Sequence, residues 1–192
     1  MNDVSAPNML TPGAFGDLLN RYQWPLYSFL RGFIGDGEHA RDIVQDVFCD
    51  AWRVSRRVAA PFDGRSPEDG MRRWLFNAAY WRAISALRRR RLIRWESLDA
   101  LADDNGEIPL LMHPFEDAVL EAEALRDIFA TLAPEAVAML LLNIVHGFTA
   151  VEIAEITGIS AEAAKKRLTR AKQRLRTSYL ARNPQARETS GQ

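Results

Sequence analysis

Residues 149–176 read TAVEIAEITGISAEAAKKRLTRAKQRLR, and this stretch decides the fold more sharply than any other part of the chain. Thr149 and Glu152 have the spacing of a capping box. In that motif a threonine side chain caps the first turn of a helix, and a glutamate three residues later bonds back to the cap. Gly158 suits the left-handed backbone conformation that ends a helix, and Ser160 can cap the helix that follows.

A short helix, a glycine-centred turn and a long basic helix make up a helix-turn-helix unit. We predict the short helix over residues 150–157 and the long one up to about residue 181. The long helix would present its solvent-facing side chains to the major groove of duplex DNA. Its buried stripe is predicted at Ala164, Leu168, Ala171 and Leu175. The alternative is a helical hairpin whose basic face binds another protein, but capping, spacing and charge together favour DNA.

Charge is distributed unevenly, although 25 basic and 25 acidic side chains give a net charge of zero. Residues 51–100 hold 12 basic and 5 acidic side chains, and residues 151–192 hold 9 and 4. Residues 101–150, between them, hold 1 basic and 9 acidic side chains. Basic zones attract polyanions, most often nucleic acid, and an acidic zone repels them. The alternative is that the arginine runs are only solvated helix faces.

The first basic zone carries aromatic side chains between its arginines. Aromatic rings stack on unpaired bases while arginines follow the sugar–phosphate backbone, so this composition suits single-stranded DNA. Helical spacing makes Trp74 a core residue. The apolar stripe blurs around Tyr80 and Trp81, which favours a binding role for these two side chains.

Helical spacing of apolar residues dominates the chain and strand signals are weak, so we predict an all-α fold. A first helix begins near Phe15, with a kink or a break expected at Pro25. Residues 35–37, GDG, predict a turn. Further helices are predicted from about residue 67 or 69 to residue 94 and over residues 135–146.

The clearest apolar stripe predicts a helix that starts near residue 40 and ends before Pro61. Cys49 lies beside this stripe, where a structural role is favoured over redox sensing. It is the only cysteine, so no disulfide can form within the chain. The residues predicted to be buried are Ala40, Ile43, Val44, Val47, Phe48, Ala51 and Trp52.

About residues 13–181 resemble a bacterial RNA polymerase sigma factor of the extracytoplasmic-function (ECF) kind. The most specific pieces are ARDIVQDVF at 40–48, and EIAEITGIS at 152–160 followed by KKRLTRAKQRLR at 165–176. The resemblance implies two small helical domains, sigma region 2 and sigma region 4, joined by an acidic flexible linker. The expected divisions are a tail at 1–12, a region-2 domain at 13–95, the linker at 96–115, a region-4 domain at 116–181 and a tail at 182–192.

The resemblance also implies a role for each part. The helix that carries Asp42, Ile43, Val44, Gln45, Asp46, Val47 and Phe48 would dock on the clamp helices of the polymerase β′ subunit. Its three polar residues would make the contacts, because the periodicity places the other four in the core. The 60–70 loop and the next helix would melt the −10 element and capture a flipped base. The acidic linker would thread through the polymerase.

Two sets of DNA contacts follow from the resemblance and the residue pattern. The −10 contacts are expected at Arg72, Arg73, Phe76, Tyr80, Trp81, Arg82, Arg88 and Arg89. The −35 contacts, made to duplex DNA, are expected at Thr149, Glu162, Lys165, Lys166, Arg167, Thr169, Arg170 and Arg174.

The chain departs from the family pattern at several of these places. Trp81 stands where members often carry asparagine, and Ser85 where they carry aspartate, so we expect an unusual −10 preference. Arg82 replaces a commonly apolar residue. In the second domain Ala138 replaces a frequent arginine, and residues 163–164 are Ala-Ala instead of the usual Thr-Val.

Nothing in the sequence indicates catalysis. His39, His113 and His146 form no metal-spaced cluster, and there is no glycine-rich phosphate loop or nucleophile elbow. No apolar run approaches the ~18–20 residues that span a bilayer. We therefore predict a cytoplasmic protein that is not an enzyme, needs no cofactor or metal and does not insert into membranes.

Three partners are expected: core RNA polymerase through its β and β′ subunits, promoter DNA, and an anti-sigma factor. Two other readings stay open on the sequence. One is a stand-alone helix-turn-helix regulator that binds duplex DNA without polymerase. The other is a helical adaptor that does not bind DNA.

Overall fold

The computed structural model describes residues 11–55, 67–96 and 127–182, and within these ranges the fold is all-α, as predicted. Residues 127–130 are helical as well. The helices are α1 Pro12–Ile34, α2 Gly37–Ser55, α3 Pro67–Glu96, α4 Pro134–Leu140 with a π-helical turn Leu141–Val145, α5 Ala150–Thr157 and α6 Ala161–Arg182. The described residues exclude three parts of the prediction: residues 60–66 of the melting loop, most of the acidic linker, and both tails apart from Thr11, Pro12 and Arg182.

Helix α1 runs through Pro25 without the break that was one of the two predicted outcomes. A proline inside a helix costs about 3 kcal/mol, because it removes one hydrogen bond and crowds the preceding turn. Leu26, Phe29 and Leu30 follow it directly, and each is completely buried. Burial of three such side chains contributes about 1.5–3 kcal/mol each, which outweighs the proline. The helix ends at Gly35, whose φ of 77° is left-handed.

Helices α1, α2 and α3 lie in the first of the two predicted domains and pack against one another. The four apolar residues predicted to be core in α2, Ile43, Val44, Val47 and Phe48, are buried. A salt bridge from Arg82 on α3 to Asp50 on α2 adds a polar tie between these two helices.

The helix-turn-helix unit forms as the sequence predicts. The Thr149 side chain accepts a hydrogen bond from the Glu152 N–H at 3.3 Å, and the Glu152 carboxylate accepts one from the Thr149 N–H at 2.8 Å. Gly158 has a φ of 71° and ends α5. Ser160 accepts a hydrogen bond from the Ala163 N–H and so caps α6. Ala164, Leu168 and Ala171 are buried and Leu175 partly so.

The predicted helix over 135–146 is α-helical only to Leu140 and closes with a π-helical turn. The His146 N–H bonds to the Leu141 carbonyl at 3.1 Å, and the Phe148 N–H bonds to the Leu142 carbonyl at 2.9 Å. A π-helical turn is one residue wider than an α-helical turn, and apolar spacing does not reveal such a local change. The wide turn leads into Phe148, which is completely buried.

Helices α4 to α6, which lie in the second predicted domain, pack directly on α1 and α3, and all six helices contribute to one continuous hydrophobic core. Gly32 of α1 lies at this contact. A Cβ atom at that position would be 3.1 Å from Cδ1 of Leu141 in the π-helical turn. Within the described ranges, no helix is both long and apolar enough to cross a membrane.

Candidate nucleic-acid interface

The basic face of α6 is open. All eight side chains predicted to contact −35 DNA are exposed. The buried stripe of Ala164, Leu168 and Ala171 fixes the opposite face of α6 against the domain, so the basic side chains point outward. Their contacts are local: Lys166 pairs with Glu162 at 2.6 Å, and the Thr169 hydroxyl donates to the Lys165 carbonyl at 2.9 Å. An exposed pair of this kind is worth at most about 1 kcal/mol, so phosphate groups can replace it.

The predicted −10 set on α3 is divided between exposed and covered residues. Arg88 and Arg89 are exposed, and Arg82 is partly covered and paired with Asp50. Trp81 is 42% exposed. One edge of its indole lies over the helix-turn-helix glycine: a Cβ atom on Gly158 would be 3.2 Å from Cζ2 of Trp81.

Phe76 and Tyr80 are core residues, at 1% and 5% exposure, so neither ring can receive a base in this arrangement. The Phe76 ring lies 5.5 Å from Phe29 and 5.0 Å from Phe148, centroid to centroid. Tyr80 stacks nearly parallel on Phe33, with centroids 5.9 Å apart. The apolar stripe of α3 thus continues where the sequence suggested that it blurs. Burial raises the pKa of the Tyr80 hydroxyl, and nearby Glu135 raises it further.

Arg72 and Arg73 are covered by the second domain. The Arg72 guanidinium lies 4.0 Å from the centroid of the Phe148 ring and donates to the His146 carbonyl. Arg73 is 7% exposed and forms an ion pair with Glu155.

Asn77, which sequence reasoning did not select, donates from Nδ2 to the Ile156 carbonyl at 2.8 Å. These partners lie 74 to 82 residues apart in the chain, and no local sequence signal connects them.

His146 lies between the two domains. Its ring is 4.9 Å from Phe76 and 5.9 Å from Phe29, centroid to centroid. Burial lowers its pKa from 6.5 to about 4, and the positive charge of Arg72 acts in the same direction. The imidazole is therefore neutral at pH 7 and behaves as part of the aromatic cluster.

A groove of about 1160 Å³ lies between α1 and α2. From α2 it is lined by Val44, Gln45 and Phe48 together with the exposed Cys49. Asp42 and Asp46, also predicted to bind polymerase, are exposed but do not line it. The sequence did not identify its α1 side, which includes Phe15, Leu19, Trp24 and Tyr27.

The described residues contain no group of three or more His, Cys, Asp or Glu side chains placed to hold a metal ion. What they offer instead is an exposed basic helix, a covered set of arginines and an apolar groove. The basic helix belongs to a helix-turn-helix unit of the kind that binds DNA, and the groove lies apart from that helix, between α1 and α2.

Residues 122–175 match the family model for sigma-70, region 4. No curated protein matches the chain in sequence. Among solved structures, the chain resembles the sigma factor RpoE from Bartonella quintana, determined in complex with the anti-sigma factor NepR. The identity is 21% and the TM-score 0.67, covering 86% of this chain and 96% of that one. It also resembles CnrH, determined in complex with the cytosolic domain of CnrY, at 24% identity and a TM-score of 0.60, covering 90% and 91%.

Residues 122–175 are therefore similar to sigma-70 region 4, and the fold over most of the chain is similar to that of these solved proteins. The resemblance to ECF sigma factors that the sequence predicted is confirmed.

Proposed function

We propose that this protein binds core RNA polymerase, directs it to specific promoters and helps to melt the −10 region. The observation that carries the proposal is the exposed basic face of α6 in a domain that matches sigma-70 region 4. The proposed work is binding alone, since the polymerase supplies the chemistry of RNA synthesis. The proposed place of action is the cytoplasm.

In the proposed complex, α6 lies in the major groove of the −35 element. Arg167, Arg170 and Arg174 neutralise phosphates, and Lys165, Lys166 and Thr169 lie near base edges. The capping of α6 by Ser160 supports this, because it fixes the N-terminal turn that enters the groove.

Polymerase is proposed to dock on α2 and the groove beside it. A helical segment of a partner fits an apolar groove by burying one face, and polar residues at the rim fix its register. Gln45 lies inside the groove, while Asp42 and Asp46 continue the exposed polar face of the same helix. We also propose that an anti-sigma factor competes for these surfaces. The proposal is supported by the RpoE structure, which was determined in complex with the anti-sigma factor NepR.

Promoter melting is proposed for α3, with Arg88 and Arg89 along the DNA backbone and Trp81 as the exposed aromatic surface. Unstacking a base costs a few kcal/mol, which a stacking contact of about 1–3 kcal/mol offsets in part. Arg72 and Arg73 can join this set only when the second domain leaves them.

Run-off transcription tests the proposal. The purified protein is mixed with sigma-free core polymerase and fragmented genomic DNA of its host, and transcript starts are sequenced. Discrete starts that share two spaced upstream motifs are expected. DNA binding by the protein alone, with no starts, would instead indicate a stand-alone regulator.

Two triple variants serve as reciprocal controls. Replacing Asp42, Gln45 and Asp46 by alanine should weaken polymerase binding and leave binding to −35 duplex DNA intact. Replacing Lys165, Lys166 and Arg170 by alanine should do the reverse. All six side chains are exposed, so neither variant is expected to change the fold.

A further inference from the structure

The groove between α1 and α2 has an aromatic end. The two helices run antiparallel, because only Gly35 and Asp36 separate them in the chain. The Phe15 ring lies 4.9 Å from Trp52 and 6.3 Å from Phe48, centroid to centroid. The start of α1 therefore meets the end of α2 in a cluster of three aromatic rings, and all three line the groove.

The opposite end of the groove is basic and is built around Tyr27. The Arg41 guanidinium lies 5.8 Å from the centroid of the Tyr27 ring. Arg31 follows Tyr27 by one turn of α1, and its Nη1 donates to the Gly35 carbonyl at 3.0 Å, which holds the guanidinium in place. A Cβ atom on Gly37 would be 3.1 Å from both Arg31 Nη1 and the Tyr27 hydroxyl. Two guanidinium groups and a phenolic hydroxyl thus converge at this end.

Among the described residues, no carboxylate lines the groove to balance this charge. The lining includes Arg31 and Arg41 but no aspartate or glutamate. The acidic residues nearest to them in the chain, Asp36, Glu38 and Asp42, lie outside the lining. Guanidinium groups bind a planar carboxylate through paired N–H···O bonds. The basic end therefore offers a site for a carboxylate that the described part of the chain does not itself supply.

The shape of the groove suits an extended apolar chain. Its lining follows α1 from Pro12 to Arg31 and α2 from Arg41 to Trp52, which corresponds to about 28 Å and about 16 Å at the rise of an α-helix. Its volume of about 1160 Å³ is slightly above the range of about 300–1,000 Å³ that is usual for small-molecule sites. A molecule with one anionic head and a long apolar tail matches both ends at once.

From this pattern of charge and shape we propose that the groove binds a long-chain carboxylate, of the kind found in free fatty acids. The carboxylate pairs with Arg31 and Arg41 and accepts a hydrogen bond from the Tyr27 hydroxyl, and the hydrocarbon chain runs to the aromatic end. Gln45 and Phe48, proposed above for polymerase docking, line the same groove, so the ligand and polymerase exclude one another. This exclusion rests on the proposed function, whereas binding of the ligand does not.

The first test titrates the full chain with monomeric dodecanoate and follows binding by calorimetry. Dodecanol, which has the same chain without the charge, should bind about tenfold more weakly, because charge-assisted hydrogen bonds are lost. Arg41→Gln should weaken dodecanoate binding by about tenfold and leave dodecanol binding unchanged. Arg53→Gln is the matched control, since Arg53 lies on the same helix outside the groove in an exposed pair with Asp50. It should bind both ligands like the wild type.

The second test locates the ligand through Cys49, which is the only cysteine in the chain and lines the groove as an exposed residue. Saturating dodecanoate should slow the reaction of Cys49 with a thiol-specific reagent severalfold. The same concentration should protect Arg53→Gln equally and Arg41→Gln less. Cys49→Trp, which places an indole in the groove, should abolish dodecanoate binding, and circular dichroism checks that this variant keeps its fold.

Three results would overturn the inference. They are equal affinities for dodecanoate and dodecanol, equal affinities of Arg41→Gln and Arg53→Gln for dodecanoate, and unchanged reactivity of Cys49. Binding to phosphatidylglycerol vesicles without binding of monomeric dodecanoate would overturn it as well, since the surface would then recognise a membrane.

A polymerase assay separates the inference from the proposed function. Dodecanoate should weaken binding of the wild type to core polymerase, and Arg41→Gln should need about tenfold more dodecanoate for the same effect. Unchanged polymerase binding at saturating dodecanoate would overturn the shared use of the groove. Failure of dodecanoate to bind while run-off transcription succeeds overturns the inference alone. Binding with protection of Cys49, in a chain that gives no transcript starts, would count against the proposed function alone.

Discussion

Acidification should lower the free energy of unfolding through His146, which lies between the two domains. The imidazole is partly buried beside Phe29 and Phe76 and feels the positive charge of Arg72, and its pKa falls from 6.5 to about 4. The unfolded chain takes up this proton near pH 6.5, whereas the folded chain resists until about pH 4. The contribution of His146 to the free energy of unfolding is therefore constant above pH 7. It decreases as the pH drops from about 6.5 to about 4, and it decreases no further below that.

The size of the effect follows from the shift in pKa. Each pKa unit corresponds to 1.36 kcal/mol, so a shift from 6.5 to about 4 gives a loss of about 3 kcal/mol at most. Domains of this size have stabilities of about 5–15 kcal/mol, so such a loss is readily measured.

Urea unfolding at a series of pH values between about 7 and about 4 gives the free energy of unfolding. Carboxylates also titrate in this range, so the wild type is compared with His146→Phe, which keeps an aromatic ring but cannot take up a proton. The difference between the two curves isolates His146. Parallel curves would refute the reasoning, and so would an NMR titration of His146 with a midpoint near 6.5.

Three further measurements follow from the geometry of the helix-turn-helix domain. Thr149→Ala removes the capping box and should lower the free energy of unfolding by about 1 kcal/mol in urea titrations. Binding to −35 duplex DNA should weaken steeply with salt, and Arg170→Ala should reduce the slope of log Kobs against log salt by about 0.9; an unchanged slope would count against a phosphate contact. Gly158→Ala should lower the free energy of unfolding in urea titrations by about 1–2 kcal/mol because of the left-handed backbone, and by more because the new methyl group meets Trp81. In a Trp81→Ala background the loss due to the contact should disappear and the loss due to the backbone should remain.

The sequence was most informative where the physical signal is local. The capping box at Thr149, the left-handed glycine at 158 and the cap at Ser160 each depend on residues within about four positions, and all three form as predicted. The buried stripe of α2 is equally local, because it follows from helical spacing alone. The exposed basic face of α6 could therefore be identified without a structure.

The roles of the α3 residues were harder to predict from the sequence, because their neighbours come from distant parts of the chain. Phe76 and Tyr80 sit among arginines in the sequence, which favoured a role in stacking on bases. In the structure Phe29 and Phe33 of α1 and Phe148 of the second domain surround them. The single-residue widening of the π-helical turn, which precedes Phe148, also left no trace in the apolar spacing.

Sequence composition records the chemistry of a donor but not the identity of its acceptor. Arg72 and Arg73 suggested phosphate contacts because guanidinium groups bind phosphate well. The same property makes them bind the Glu155 carboxylate and the carbonyl of His146. Burying such donors without acceptors would be costly, so a domain that covers them must supply oxygens in similar places. The composition that predicts DNA binding is thus also what allows the second domain to close over α3. For that reason the covered arginines are compatible with a DNA-binding role, provided that the domain separates first.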